Sequence, residues 1–345
     1  MKKSVLFVSI RGMKYCLITY GCQMNKSDSE RLAAVLDKSG HKPAAEIKIA
    51  DLIVLNACSV RQSAIDRIYG KINQIQKLKK KPKIILTGCL LETDKRKFEG
   101  KVDEIWDIVD FDLIPKYQPG EQAYVPIMTG CNNFCSYCVV PYTRGREKSR
   151  PVEKIIKEVK SLIKKGYKEI MLLGQNVNSY KSQAINFTKL LKILNDLAGN
   201  FQLSFLTSHP KDMSDELINI IANSEKVAKE IHLPAQSGDN TILKKMNRHY
   251  TVSHYKNLIK KIRRKIPNTK ISTDVIVGFP GETKKQFQNT VKLFKEIKFD
   301  KAYIAKYSPR LGTAAAKLKD GVSQKEKKRR WRILEEIVKK KKPLS

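Results

Sequence analysis

The 345-residue chain is predicted to be an α/β protein, with an N-terminal parallel-sheet α/β domain followed by a partial (β/α)6 barrel. Two observations predict this. Apolar, β-branched runs alternate with amphipathic helical segments along most of the length, the pattern of right-handed βαβ crossovers and parallel sheets. The runs also fall into two groups, separated by the Pro- and Gly-bearing stretch "FDLIPKYQPGEQ". Short units precede it, and six longer ones follow, where a closed barrel needs eight. The expected division is residues 1–118, 119–315 and 316–345.

The opening "MKKSVLFVSIRG" has the basic start of a signal peptide, but Arg11 interrupts its apolar stretch and no small-residue cleavage site follows. It is expected to be a strand, with translation starting at Met1 or Met13. "KYCLITYGC", "ADLIVLNAC" and "KIILTGC" are three buried strands, each ending in cysteine. Helices follow the first two: "KSDSERLAAVLDKSG", with Ser27 or Asp28 as N-cap and Gly40 as stop, and "RQSAIDRIYGKINQIQKLKK". Ligands collect at the carboxyl ends of parallel strands, so Cys22, Cys58 and Cys89 are expected to converge. Cys16, inside the first strand, is expected to be a buried small apolar residue. In the second group the strands are "AYVPIMTG", "EIMLLG", "QLSFLTS", "EIHLPAQSG", "ISTDVIVGF" and "AYIAKYS". The chain closes on the basic helix "SQKEKKRRWRILEEIVKKKKPLS", whose plainest reading is a solvated tail.

Composition bounds the function. No apolar run reaches the eighteen or so residues of a membrane span. Seven cysteines in this length are too sparse for a disulfide scaffold and point to metal or redox chemistry in a reducing compartment, the cytoplasm. Lys and Arg number 68 against 34 Asp and Glu, a net charge of +34. Such a charge favours a polyanion such as RNA, although solvated lysine-rich helix faces account for it equally well.

The stretch "GCNNFCSYCVVPYTRGREKSR" places Cys131, Cys135 and Cys138 within eight residues. Structural zinc takes four protein ligands, and the nearest histidine downstream is His209. Three thiolates suit instead a 4Fe–4S cubane with its fourth iron open to another ligand.

C-x3-C-x2-C with Tyr137 before its last cysteine resembles the signature of the radical-SAM superfamily. The dispersed triad Cys22, Cys58 and Cys89 narrows the resemblance to the methylthiotransferases, over nearly the whole chain. "YGCQMNKSDSE", "NACSVR", "LLGQNVNSY", "LPAQSGDN", "MNRHYT", "VGFPGET" and "YSPRLGT" resemble the MiaB-type branch, the tRNA 2-methylthio-N6-isopentenyladenosine synthases. The ribosomal-protein branch usually carries a proline where this chain has Gln23.

The resemblance implies two 4Fe–4S clusters, one on each cysteine triad, with S-adenosylmethionine at the cluster of Cys131, Cys135 and Cys138. It implies methylthiolation of carbon 2 of a modified adenine in a tRNA anticodon stem-loop. A flavodoxin- or ferredoxin-type electron donor and a sulfur donor are implied as partners of a monomeric enzyme, with no membrane attachment. Residues 1–118 would be the methylthiotransferase domain, 119–315 the radical-SAM barrel, and 316–345 a basic helix without the family's TRAM module. Two other readings stay open: the threonylcarbamoyl-adenosine branch, and a non-catalytic iron–sulfur RNA-binding or redox-sensing protein.

Gly174, Gln175 and Asn176, beyond the second barrel strand, are expected near the methionine amino group, and Gln236 and Ser237 near the adenosine. Gly278 permits close backbone approach by adenine. Each of these also serves an ordinary loop or turn. Arg144 and Arg146 suit a carboxylate or phosphate, or a surface salt bridge. His209 and His232 are read as hydrogen-bonded rather than metal-bound. Asp28 and Glu30 are read as complementing the dipole in the first turn of their helix.

Overall fold

The structure is a computed structural model that describes residues 12–340 except Arg61 and Thr207. The strand expected in residues 1–11 and the last five residues of the terminal segment lie outside the described residues. No described helix is long and apolar enough to cross a membrane.

The first sheet contains β1 (Lys14–Thr19), β2 (Lys42–Pro43), β3 (Leu52–Cys58), β4 (Lys83–Cys89) and β5 (Glu104–Ile105) in the order β2-β1-β3-β4-β5, all parallel. Every residue of β3 is buried, because helices cover both faces of the sheet. Ile53, Leu55 and Ala57 pack on Ile65, Ile68, Ile72 and Ile75 of α2 (Gln62–Gln76). Leu52 and Val54, on the alternate face, pack on Leu32 and Leu36 of α1 (Gln23–Lys38). The chain reverses direction across the sheet between β1 and β3, which makes the crevice beyond their carboxyl ends the expected ligand position.

Helix α1 starts earlier than expected. Cys22 is its N-cap, not Ser27 or Asp28, and Asn25 at the third helical position accepts the Cys22 backbone N–H at 3.4 Å. Asp28 and Glu30 therefore lie beyond the first turn and do not complement the dipole there. Gly40, with φ +84°, does follow the helix end at Lys38. Cys16 is half-buried rather than buried. A third helix, α3 (Glu92–Phe98), follows β4.

The six strands expected in the second group all form. β6 (Gln122–Pro126) runs into β7 (Met128–Thr129), which pairs with β8 (Lys148–Ser149) around the short α4 (Val140–Thr143). After α5 (Val152–Lys164) come β9 (Glu169–Leu173) and the small hairpin β10 (Lys181–Ser182) and β11 (Ile185–Asn186). Then follow α6 (Phe187–Asn195), β12 (Gln202–Phe205), α7 (Asp215–Asn223) and β13 (Glu230–His232). The run ends with α8 (Asn240–Lys245), α9 (Val252–Lys265), β14 (Lys270–Val277), α10 (Lys284–Ile297) and β15 (Lys301–Lys306). Strands β6, β9 and β12 form one parallel sheet and β13, β14 and β15 another, bridged at Leu203 and Val227. Together they form the open, six-stranded parallel wall of a partial barrel. Helix α5 shows why its residues dock on it: Val152, Ile155, Val159 and Leu162 recur at helical spacing, and all are buried.

The terminal helix α11 (Gln324–Lys339) is not a solvated tail. Leu334 and Lys327 are fully buried, the Trp331 indole N–H donates to the Ile304 carbonyl at 3.0 Å, and Arg330 is buried against Glu282. A narrow packed stripe hides within the basic sequence, because Lys and Arg stems cover apolar surface while their heads find partners.

Buried ions join the first sheet to the barrel. Fully buried Arg31 of α1 donates to the Phe111 carbonyl at 3.0 Å and to Glu158 of α5 at 3.1 Å. Arg150 takes the other Glu158 oxygen at 2.6 Å.

Candidate functional site

The first triad is built by register. Cys58 and Cys89 end neighbouring strands and are direct register partners, while Cys22 follows β1 on the crevice side of the same sheet. Cys58 and Cys89 are buried and Cys22 is exposed. Fully buried Asn25 ties them together. Its Oδ1 accepts from the Cys22 thiol at 3.5 Å, and its Nδ2 donates to Asn56 Oδ1 and the Ala57 carbonyl, each at 3.1 Å, and lies 3.9 Å from Cys89 Sγ. Burial pushes the Cys89 thiol up to about 12, against the pull of the Arg144 cation beside it.

The second triad sits on one loop, between β7 and α4. Gly130 opens it with φ +78°, and a Cβ there would stand 2.0 Å from the Arg146 carbonyl oxygen, so the loop depends on glycine. Cys131 N–H donates to the Gly145 carbonyl at 3.1 Å and Cys138 N–H to the Cys135 carbonyl at 2.9 Å. Phe134 holds a left-handed conformation, φ 45°, fixed by Asn247 Nδ2 donating to the carbonyls of Asn133 and Phe134. Two sulfurs receive hydrogen bonds: Asn133 Nδ2 donates to Cys131 Sγ at 3.5 Å, and Arg248 Nη1 donates to Cys135 Sγ at 3.4 Å. Burial raises the Cys131 thiol and pushes Cys138 up to about 12.

Among the described residues, no three His, Cys, Asp or Glu side chains are gathered as a single metal ion would need. Ligands of a four-iron cube stand farther apart than ligands of one ion. Three soft sulfur donors per triad suit the cube.

A cavity of about 470 Å³ opens beside the second triad, lined by Tyr137, Cys138, Gln236, Ile276, Tyr303 and Trp331 among others. Gln236, with φ 63°, and Asn176 are buried, and their side-chain oxygens lack partners, as does that of Gln175. Asn176 Nδ2 is held by Asp212 at 2.7 Å. Gly174 is packed against Met128, whose side chain would lie 2.6 Å from an added Cβ. Ser237 and Gly278 serve local structure: Ser237 Oγ accepts from Asp239 N–H at 3.2 Å, and Gly278 N–H donates to Glu282 at 2.7 Å. The space a Gly278 Cβ would take is filled by the Lys327 stem. Of the residues expected beside the cofactor, Tyr137 and Gln236 line the cavity, and Gly174, Gln175, Asn176, Ser237 and Gly278 do not.

The two arginines after the second triad differ. The Arg144 side chain is buried and reaches the first triad, pairing with Asp28 and donating from Nε to Cys89 Sγ at 2.9 Å. Arg146 lies over the Phe134 ring, 4.2 Å from its centre. Both histidines are hydrogen-bonded: His209 Nδ1 accepts from Lys211 N–H at 3.2 Å, and His232 lies between Ser272 at 2.9 Å and Asp274 at 3.1 Å. Asn25, Asn133 and Arg248 were not singled out from the sequence as sulfur contacts. Two of them lie within three residues of a cysteine, which is the signal that marks them; Arg248 carries no such signal.

The Radical SAM superfamily matches residues 125–294, and the Uncharacterized protein family UPF0004 matches residues 14–109. The tRNA-2-methylthio-N(6)-dimethylallyladenosine synthase of Thermoanaerobacter pseudethanolicus is 44% identical over 95% of this chain and 78% of its own length. The protein of the same name from Carboxydothermus hydrogenoformans is 41% identical over 94% of this chain and 82% of its own. In fold, the chain resembles the radical S-adenosylmethionine methyltransferase TsrM of Kitasatospora setae, with a TM-score of 0.60 at 13% identity, covering 88% of this chain and 74% of that one. It also resembles the cobalamin-dependent radical enzyme OxsB, with a TM-score of 0.58 at 11% identity over 96% of this chain and 57% of that one. With both triads in place and this similarity running through both regions, the chain belongs to the radical-SAM superfamily and, within it, to the tRNA-2-methylthio-N6-dimethylallyladenosine synthase family of methylthiotransferases.

Proposed function

We propose that this enzyme adds a methylthio group to carbon 2 of N6-isopentenyladenosine beside the anticodon of tRNA. The observation that carries the reading is the dispersed thiol triad, Cys22, Cys58 and Cys89, at the carboxyl edge of the first sheet and touched by Arg144, which follows the other triad in the chain. Superfamily membership brings one 4Fe–4S cluster and S-adenosylmethionine.

We assign that cluster to Cys131, Cys135 and Cys138, and a further 4Fe–4S cluster to Cys22, Cys58 and Cys89. When bound, these groups supply one-electron cleavage of a sulfonium bond, a sulfur atom and a methyl group. The chain's own residues hold and orient them. Asn133 and Arg248 hydrogen-bond sulfurs of the Cys131, Cys135 and Cys138 set, and Asn25 Nδ2 and Arg144 Nε face Cys89 Sγ of the dispersed set. The unpartnered buried oxygens of Gln175, Asn176 and Gln236 suit the ammonium and ribose hydroxyl donors of S-adenosylmethionine. We assign Tyr137, which lines the cavity, and Gly174 as cofactor contacts through shape, while Ser237 and Gly278 act by holding their loops.

Val60, Val139, Ile276, Ile304 and Ala305 give the cavity an apolar wall that suits an isopentenyl group and keeps water from the reacting carbon. A threonylcarbamoyl group carries a carboxylate, and of the cavity's two cations Arg310 is already engaged by Asp94 and Gln62. We place the enzyme in the cytoplasm, acting as a monomer on tRNA and served by a flavodoxin- or ferredoxin-type reductant and a sulfur donor. The division at residues 1–118, 119–315 and 316–345 assigns the second cluster to the first part and S-adenosylmethionine to the second.

The test is anaerobic turnover of the reconstituted enzyme with an isopentenylated anticodon stem-loop, read by mass spectrometry. One methylthio group per modified adenine is expected. A threonylcarbamoylated stem-loop as the better substrate, or no S-adenosylmethionine cleavage upon reduction, contradicts the proposal.

A further inference from the structure

Arg144 stands six residues after Cys138, as the C-cap of α4, yet its guanidinium lies in the first triad. Nε donates to Cys89 Sγ at 2.9 Å, and Nη2 pairs with Asp28. The Arg144 and Asp28 side chains are only 3% and 2% exposed, so neither charge is screened by water. Asp28 Oδ1 has no hydrogen-bond partner, which leaves Arg144 as the group that compensates this carboxylate. Arg144 thus presents a fixed positive charge to a cysteine sulfur, and Asp28 sets how much of that charge the sulfur feels.

We propose that the Arg144–Asp28 pair sets the reduction potential of the cluster on Cys22, Cys58 and Cys89, Arg144 raising it and Asp28 lowering it. Hydrogen bonds to ligand sulfur and nearby net charge are the levers by which a protein tunes such clusters, because they stabilise the extra negative charge of the reduced form. A charge-assisted bond from a buried guanidinium is a strong instance. Its fork also requires arginine: a lysine ammonium is a point donor and cannot match both partners in the same geometry. The consequence is a built-in link, since the segment between β7 and β8 that holds one cluster also carries the cation that poises the other. The inference rests on the assignment of a second cluster to Cys22, Cys58 and Cys89.

The test uses the full chain with Cys131→Ala, Cys135→Ala and Cys138→Ala, so that only the dispersed triad can hold iron. Its midpoint potential is measured by EPR-monitored reductive titration in the parent and in Arg144→Met, Arg144→Lys and Asp28→Asn versions, with circular dichroism confirming the fold. The potential is expected to shift negative in Arg144→Met, less so in Arg144→Lys, and positive in Asp28→Asn. Opposite signs from two halves of one ion pair would not follow from a role in packing alone. A cluster whose potential is unchanged in all three variants overturns the inference while leaving the second cluster standing. A triple-cysteine parent that folds but takes up no iron overturns the second cluster and the inference with it.

Discussion

Cys58 and Cys89 face each other as the last residues of adjacent parallel strands, paired in register. A ligand set built this way inherits its spacing from the sheet rather than from a loop. Cys89→Ala removes one of three thiolates at that edge while leaving the loop of Cys131, Cys135 and Cys138 untouched. Reconstituted Cys89→Ala protein is expected to bind about four irons per chain where the parent binds about eight, as two cubanes require. Iron and sulfide analysis checks this; an unchanged iron content refutes the assignment.

Gly88 precedes that cysteine with φ +106°, and an added Cβ would lie 2.3 Å from the Ala57 carbonyl oxygen on β3. Gly88→Ala must therefore push β3 and β4 apart at the level of the two cysteines. The variant is expected to lose roughly 1–3 kcal/mol of stability, the cost of a strained backbone position, and to lose the second cluster. Denaturant unfolding and iron analysis measure both effects.

Arg310, in the loop after β15, pairs with Asp94 of α3, and Ser59 Oγ donates to the same carboxylate at 2.7 Å. Both charged side chains are about 5% exposed or less. Arg310→Met leaves Asp94 buried without its cation, which is expected to cost on the order of 3–5 kcal/mol. A melting curve that overlays the parent's would show that the clamp contributes nothing.

Glu30 gives a pH signature. Burial, with Glu158 adding repulsion, pushes its carboxyl up to about 7 despite the Gln118 backbone N–H and nearby cations, and one of its oxygens has no hydrogen-bond partner. Because the folded-state value lies above the ordinary carboxylate value, the folded protein holds a proton that the unfolded chain has released. Its contribution to stability is present below about pH 4.5 and is lost as the pH rises through about 7. Glu30→Gln is therefore expected to be more stable than the parent at pH 8 and little different near pH 4.5, as thermal unfolding at the two pH values would show.

The sheet edge and both triads were legible because three β-branched runs each stop at a cysteine and the cysteine-rich loop has an unmistakable spacing. Less local features were not. The true start of α1 was hidden because Cys22 is an unusual cap, and Asn25 discloses it only through reciprocal hydrogen bonding. The packed stripe of α11 was masked by its charges; Lys327 and Arg330 are buried because Asp320, Glu282 and Glu326 receive them. Arg144 could be read as a carboxylate binder, but not that its partner would be Asp28 or its second contact the Cys89 sulfur, since they lie 116 and 55 residues away in the sequence. Likewise, the glycine freedom expected at Gly278 serves the close approach of Lys327.

The most direct measurement compares the parent and Cys89→Ala proteins in one anaerobic assay with S-adenosylmethionine, reductant and the isopentenylated stem-loop, quantifying 5′-deoxyadenosine and methylthiolated adenine together. The parent is expected to form both products, and Cys89→Ala to form 5′-deoxyadenosine alone. Methylthiolated adenine from the variant at the parent's rate would contradict the division of labour between the two triads.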